Sequence, residues 1–561
     1  MIDKSTPRRS VAPSMSPVAA ICAALLCGAS ARAGEIDLGN PDLMLRWDNT
    51  VKYSAAARLK RADPVLLANP NLDDGDRNFG KGLISSRLDW LSEADITWRK
   101  QFGSRISAAA WYDSVYLRSN DNPGFAGGAF PNQTSVPANE FTRATRDVHG
   151  RDAEVLDAFV FGRFELGDMN ASLRAGRHSL LWGESLFFGG NAIAGGQMPV
   201  DVVKLVSVPG TQFKEAIRPL GMVSAQLQLD SSVSLGGYLQ TQWRGNRVAA
   251  VGSYFSSADL AIDGGENMLL GPAGVAPRLA DQKARNGGQG GLQLRVRGDS
   301  ADYGVYLIRF HDKTPQLVPV MMLLTPPAVP QPTAVPSGYR LAYHEGIVAL
   351  GASASRTFGD LNVALEASLR HNQDLASTAG ADISAFAPVP PADNRDNPAY
   401  AVGRTLHLNL STIASLPPTP LWREASLAAE IAWNRVLKVT KNAAATDPNA
   451  TRDGVALRFV LEPTYRGVLP GVDLGVPLGV GWAPRGSRPL AMPNPNMWVA
   501  DGGGDASLGI NGSFRDVWRF GIAATHYFGR AATFNDAANA FTWQQSLRDR
   551  DFVAASLRYS F

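Results

Sequence analysis

Eighteen segments in which apolar and polar residues alternate with a period of two constrain this chain more than any other feature. Such a period belongs to a strand with one apolar and one polar face. The segment Ser86–Lys100 shows the pattern: Leu88, Trp90, Ala94, Ile96 and Trp98 share one face, and Arg87, Asp89, Glu93, Asp95 and Arg99 the other. Arg404–Thr412 repeats it, with Thr405, His407, Asn409 and Ser411 opposite leucines. The connections alternate between short turns, such as Gln101–Gly103, Gly167–Met169 and Asp299–Ser300, and long loops, such as 245–288 and 372–400. An even strand number with short turns at one end and long loops at the other is the organisation of outer-membrane barrels. The expectation is therefore an all-β fold, a transmembrane antiparallel barrel of 18 strands, with 14 or 16 left open by weak strand boundaries. A secreted propeller or jelly roll would also show many short strands, but not this rhythm.

Both ends of the chain agree. Lys4, Arg8 and Arg9 precede an apolar run from Val18 to Ala31 and an Ala31-Arg32-Ala33 cleavage pattern. That reads as a secretory signal peptide over 1–33, with the barrel over 34–561. The last strand, 551–561, places Val553, Ala555, Leu557, Tyr559 and Phe561 on one face. Aromatic residues at a strand end suit the interfacial girdle of a barrel. Leu557, Tyr559 and Phe561 are expected to act as the assembly signal read by the barrel assembly machinery, in contact with outer-membrane lipid and lipopolysaccharide.

Composition excludes several classes. The two cysteines, Cys22 and Cys27, fall in the leader, so disulfide frameworks and thiol chemistry are absent from 34–561. Lys4, Arg8, Arg9 and Arg32 against Asp3 carry the whole formal charge of +3, which leaves a neutral remainder and no nucleic-acid footprint. The seven histidines show no metal-ligand spacing. No catalytic, cofactor-binding or metal residues are expected, and the chain is not read as an enzyme. A His407–Ser411 pair on one strand face is the weak basis for a wall-mounted hydrolase.

The third long connection, 179–220, is unlike the others. It carries Leu180, Trp182, Leu186, Phe187, Phe188, Ile193, Met198 and several valines where a solvated loop would be polar. Burying each large side chain stabilises by about 1.5–3 kcal/mol, which a solvated loop would forgo. The expectation is a loop folded into the lumen as a constriction or plug, with a short helix between Pro199 and Pro209. Arg177, Trp182, Glu184, Phe187, Phe188, Asp201, Lys214 and Glu215 are the candidate constriction or substrate-path residues. Arg87, Asp89, Glu93, Asp95, Arg99, Arg174, Arg295, Arg297, Glu366, Arg370, Arg458 and Glu462 share the inward parity and form the candidate lumen charge network. Glu430, Arg519 and Arg558 share that parity too. Their mixed signs suit an ion-pair scaffold better than a selecting field. Loop 315–336, with seven prolines and an apolar cluster, is expected to stay extended and resist sheet pairing as a cover over the mouth.

Gly176-Arg177, Trp182-Gly183-Glu184-Ser185, Phe187-Phe188, Asn191, Pro199-Val200-Asp201, Pro209-Gly210, Lys214-Glu215-Ala216 and Pro219 resemble the core motif of a family. That family is a proteobacterial outer-membrane β-barrel family of slightly longer chains, known only as a domain of unknown function. Gly351–Gly359 and the Asp549–Phe552 and Tyr559–Phe561 ending are similar to it as well, and the resemblance covers most of 34–561. It implies uptake of hydrophobic compounds, assisted by periplasmic or inner-membrane transport partners, and brings no enzymatic residues. The expected function is an outer-membrane channel for a small hydrophobic or amphipathic molecule. A polar-solute diffusion porin and a sealed barrel serving as adhesin or anchor are the alternatives.

Overall fold

The computed structural model describes residues 34–125, 127, 130–211, 213–260, 263–324 and 332–561. The expected leader, 1–33, lies outside the described residues. Eighteen antiparallel strands form one closed sheet. They are β1 Leu43–Arg58, β2 Gly82–Trp98, β3 Phe102–Asp113, β4 Arg151–Leu166, β5 Met169–His178 and β6 Leu220–Gln228. Then come β7 Val233–Gln240, β8 Gln289–Arg297, β9 Asp302–Phe310, β10 Ile347–Phe358, β11 Leu361–Asp374 and β12 Val402–Leu416. The set ends with β13 Glu424–Lys441, β14 Asp453–Leu469, β15 Val472–Gly475 with Leu478–Trp482, β16 Gly504–Phe514, β17 Trp518–Phe528 and β18 Phe552–Ser560. Pro477, which has no N–H to give the ladder, falls in the break within β15.

The first and last strands close the barrel, in register from Thr50↔Ser560 to Arg58↔Phe552. Phe561 extends the seam: its N–H donates to the Asn49 carbonyl at 2.9 Å and its carbonyl accepts from Asn49 N–H at 2.8 Å. Closure leaves none of these eighteen strands at an open sheet edge, which a lipid environment requires. Among the described residues no helix is long and apolar enough to cross a membrane.

Period two sorts side chains to opposite sides of the wall. Trp90, Val160, Leu292, Leu350, Leu410 and Leu508 are all more than 45% exposed and face outward. On the same strands Asp89, Ser353, Ser411 and Asp505 face inward, Ser353 and Ser411 being buried. At the short-turn end, aromatic rings cluster outside. Trp98 lies 6.0 Å from Phe102, Phe102 5.7 Å from Phe164, and Trp518 4.6 Å from Tyr559. The turn after β2 takes left-handed backbone at Arg99 and Lys100, with φ of 49° and 56°. Strand parity therefore ends there, and Arg99 is not a lumen residue: it is exposed, 3.0 Å from Asp42. Arg297 is corrected likewise, lying exposed beside Asp302 at the same rim.

The long loops fold over the other end. The expectation that 315–336 resists pairing is overturned for the described part. Gln316–Leu324 pairs with Thr333–Ala342 as a hairpin, with a bulge between Val320 and Met321. Pro319 and Pro336 sit within it, tolerated because a two-stranded ribbon leaves edge positions that need no N–H.

Candidate functional site

The loop 179–219 lies inside the barrel, held by inward-facing side chains of the wall. Two buried carboxylates grip its backbone. Glu366 of β11 accepts from the N–H of Glu184 at 2.7 Å and of Ile193 at 2.6 Å. Glu430 of β13 accepts from the Ser185 hydroxyl at 2.8 Å, from the N–H groups of Leu186 and Phe188 at 3.0 Å each, and from Phe187 N–H. Three successive N–H groups aimed at one anion form a nest. Such charge-assisted bonds contribute about 1.5–3 kcal/mol each. Arg370 of β11 then donates to the carbonyls of Gly190, Asn191 and Ala192 at 3.2, 2.8 and 2.9 Å. The mooring thus satisfies both donors and acceptors of an irregular backbone that could not otherwise be buried.

Asn191 completes it. Its amide donates to Asn409 Oδ1 at 3.0 Å and to the Leu408 and Trp433 carbonyls at 3.2 Å. Its oxygen faces Asn434 Nδ2 at 3.0 Å and His407 Nδ1 at 2.9 Å. His407 is therefore a mooring residue, and its Nε2 contacts Thr405 at 2.8 Å, not Ser411. The loop's apolar side chains form a core inside the barrel. Trp182, Ile193, Met198 and Ile217 pack with Tyr238, Tyr306, Ile308 and Phe310 of the wall. Trp182 stands 5.0 Å from Tyr238 in edge-to-face geometry and is only 8% exposed. The expectation that Trp182 lines an open path is corrected: its large apolar ring gains more from burial than from facing a channel.

The far arm of the loop is fixed separately. Asp201 caps the helix Val202–Ser207 by accepting from Lys204 N–H at 3.0 Å, and pairs with Arg247 at 2.7 Å. Arg247 also binds Glu154 of β4 at 2.9 Å and lies over Trp111. At the tip, Arg558 of β18 donates to Glu215 at 3.0 Å and to the Gly210 carbonyl, and Lys52 of β1 lies 3.7 Å from Glu215. The side chain of Lys214 lies outside the described residues.

Among the other candidates, Glu184 faces Arg295 at 3.9 Å, and Phe188 packs on Trp498 at 5.6 Å. Phe187 is half-buried beside it. Arg177 is corrected. It hydrogen-bonds the Val155 carbonyl at 2.7 Å at an exposed position, because the opposite parity of β5 turns it away from the loop while Arg174 faces inward over Phe159. Arg87 pairs with Asp89 at 2.8 Å, and Arg458 with Asp505. Glu462 is half-buried beside Gly475. Glu93 and Asp95 converge on Arg105, a residue that strand parity alone does not single out but that the β2–β3 register sets opposite Asp95. Arg87 with Asp89, Arg105 with Glu93 and Asp95, and Arg458 with Asp505 thus form local pairs of opposite sign.

Two cavities flank the described residues of the loop between 204 and 216. One, of about 740 Å3, is charged: Lys52, Glu93, Asp95, Arg105, Arg174 and Arg558 line it toward the short-turn end. The other, of about 560 Å3, lies toward the long loops and is lined by Leu205, Val206, Val208, Trp498, Trp543 and Phe552 among others. Leu205 and Val206 remain 49% and 38% exposed there, inside the barrel.

Similar solved structures include Acinetobacter baumannii OccAB4, at 8% identity and TM-score 0.40, covering 93% of this chain and all of that one. Pseudomonas aeruginosa OccD3 (OpdP) is 11% identical with TM-score 0.40, covering 94% of this chain and 93% of its own. Salmonella typhi OmpF is 9% identical with TM-score 0.33, covering 94% and 100%. No curated protein matches the sequence. The model of one family spans residues 14–561, and the chain belongs to that family, described as protein of unknown function, DUF1302.

Proposed function

We propose that this protein is an outer-membrane channel for a small amphipathic molecule, with the segment 204–216 as a partition in its lumen. The carrying observation is the pair of unlike cavities on either side of that segment. Exposed Leu205 and Val206 offer an apolar surface to a solute arriving from the long-loop side. The opposite cavity is lined by many more charged groups, Lys52, Glu93, Asp95, Arg105, Arg174 and Arg558 among them, where the long-loop cavity has Arg458 and Asp505. A solute with an apolar body and a polar end finds partners in both, as ligand sites that combine apolar walls with a few polar groups do. The apolar outer surface of the closed barrel supports the membrane location. Exchange with periplasmic or inner-membrane transport partners at the short-turn end belongs to the same proposal.

The charged cavity favours one second reading, a diffusion porin for polar solutes. Planar-bilayer recordings of the purified full chain separate the two. Near-silence of the wild type, with large steady openings after shortening Leu205–Thr211, supports the partitioned channel. A steady ionic conductance in the wild type favours the porin. Uptake of amphipathic fluorescent solutes into vesicles holding the protein is the companion measurement.

A further inference from the structure

Asp73 and Asp74 on the first long loop and Asp259 on the fourth bring carboxylate oxygens within 4.8 Å of one another, and all three residues are buried. Among the described residues, Arg77 is the cation that pairs with this group, 2.7 Å from Asp73. The neighbouring Asp76 is already engaged, by Arg58 at 3.0 Å and Arg550 at 2.7 Å. Three buried carboxylates against one cation leave an excess negative charge that is expensive to bury.

A second observation points into the same place. Gln133, on the second long loop and 8% exposed, sets its amide nitrogen 2.8 Å from Asp74 Oδ2, while its own Oε1, buried, has no partner. Asp259 is fully buried, and its Oδ1 likewise has no partner. Buried acceptors without donors are rare in a folded chain. An amide turned by half a rotation presents its oxygen to the Asp74 side with unchanged shape. A cavity of about 20 Å3 lined by Asp74 and Gln133 adjoins the cluster. That is room for a single water as a further ligand.

We infer that Asp73, Asp74 and Asp259, with the Gln133 carbonyl, form a binding site for a hard divalent cation of the calcium type, joining three long loops over the barrel mouth. Calcium takes six to eight oxygen ligands in flexible geometry, which loop carboxylates, an amide oxygen and water supply.

The test uses the full chain in lipopolysaccharide-free detergent, stripped with a chelator. Titration with calcium chloride should give saturable heat at one site per chain, and calcium should raise the thermal midpoint. Asp259→Asn should lose both responses while remaining at least as stable as the wild type in chelator, because it removes repulsion. Gln133→Ala, which leaves the charges in place, should weaken the binding. Absence of saturable heat in the stripped wild type overturns the inference, as does a calcium response unchanged in Asp259→Asn.

Discussion

Arg558, in the closing strand, donates to Glu215 of the inward loop at 3.0 Å across 343 residues of sequence. The same guanidinium reaches the Gly210 carbonyl, so one side chain holds both ends of the tip. Replacing it by methionine keeps bulk and removes the donors. Arg558→Met is expected to give larger or longer single-channel openings than wild type, with the folded, heat-modifiable barrel retained.

Glu430 is the acceptor for three successive backbone N–H groups of the loop. Glu430→Ala leaves them buried without partners, at about 1–3 kcal/mol for each orphaned group. The loop should leave the wall. Cleavage by trypsin after Lys204 or Lys214, in a protein whose barrel still resists, would show it.

Gly183 has φ of +97°, and a Cβ there would collide with Glu366 Oε2. Gly183→Ala therefore meets both a strained backbone and the carboxylate that binds Glu184. A backbone held in such a region costs about 1–3 kcal/mol before the collision is counted. The thermal midpoint should fall, and Glu366→Ala combined with it should fall by less than the sum of the two single changes.

His149 is buried, stacks on Tyr116 at 4.7 Å, and its Nε2 accepts from Ala250 N–H at 3.1 Å. Burial first, then Arg87 and Arg247, lower it to about 3. An unfolded histidine titrates near 6.5, so between those values the unfolded chain binds a proton that the fold refuses. Its contribution is thus complete above pH 6.5 and is lost as pH falls toward 3, at up to about 1.4 kcal/mol per pH unit. His149→Gln, which keeps an acceptor, should flatten the decline of the thermal midpoint between pH 7 and 4.

Phe561 stacks on Tyr559 at 5.3 Å and bonds to Asn49 through both backbone groups. Phe561→Asp places a charge at the lipid-facing seam. The amount of assembled barrel in the outer membrane should drop. Unchanged amounts of heat-modifiable protein would remove the terminal ring from any part in assembly.

The wall was legible in the sequence because period two is a local signal that each strand carries alone. Leu406, Leu408 and Leu410 announce one face of β12 without knowledge of any neighbour. The inward loop was legible for a related reason: its apolar side chains have no other place to go. What alternation cannot carry is contact across the lumen. Glu366 and Arg370 share a face with Arg174, yet only the first two touch the loop. Arg99 keeps the right parity on paper but lies where the strand has already turned, and Arg297, the last residue of β8, lies exposed at the rim. Trp182 reads the same whether it lines a path or fills a core. Asp73, Asp74, Asp259 and Gln133 come from three loops with no common spacing, so no motif could announce them together.

The order of residues along the chain has a consequence for timing. Glu366, Arg370, His407, Asn409, Glu430 and Arg558 all follow the loop they hold, and Arg558 lies in the final strand. A barrel built as far as β6 carries a segment rich in leucine, valine and phenylalanine with none of these anchors yet in place. Filling the lumen and sealing the seam therefore finish together. Until then, the inward loop is the most vulnerable part of the unfinished molecule.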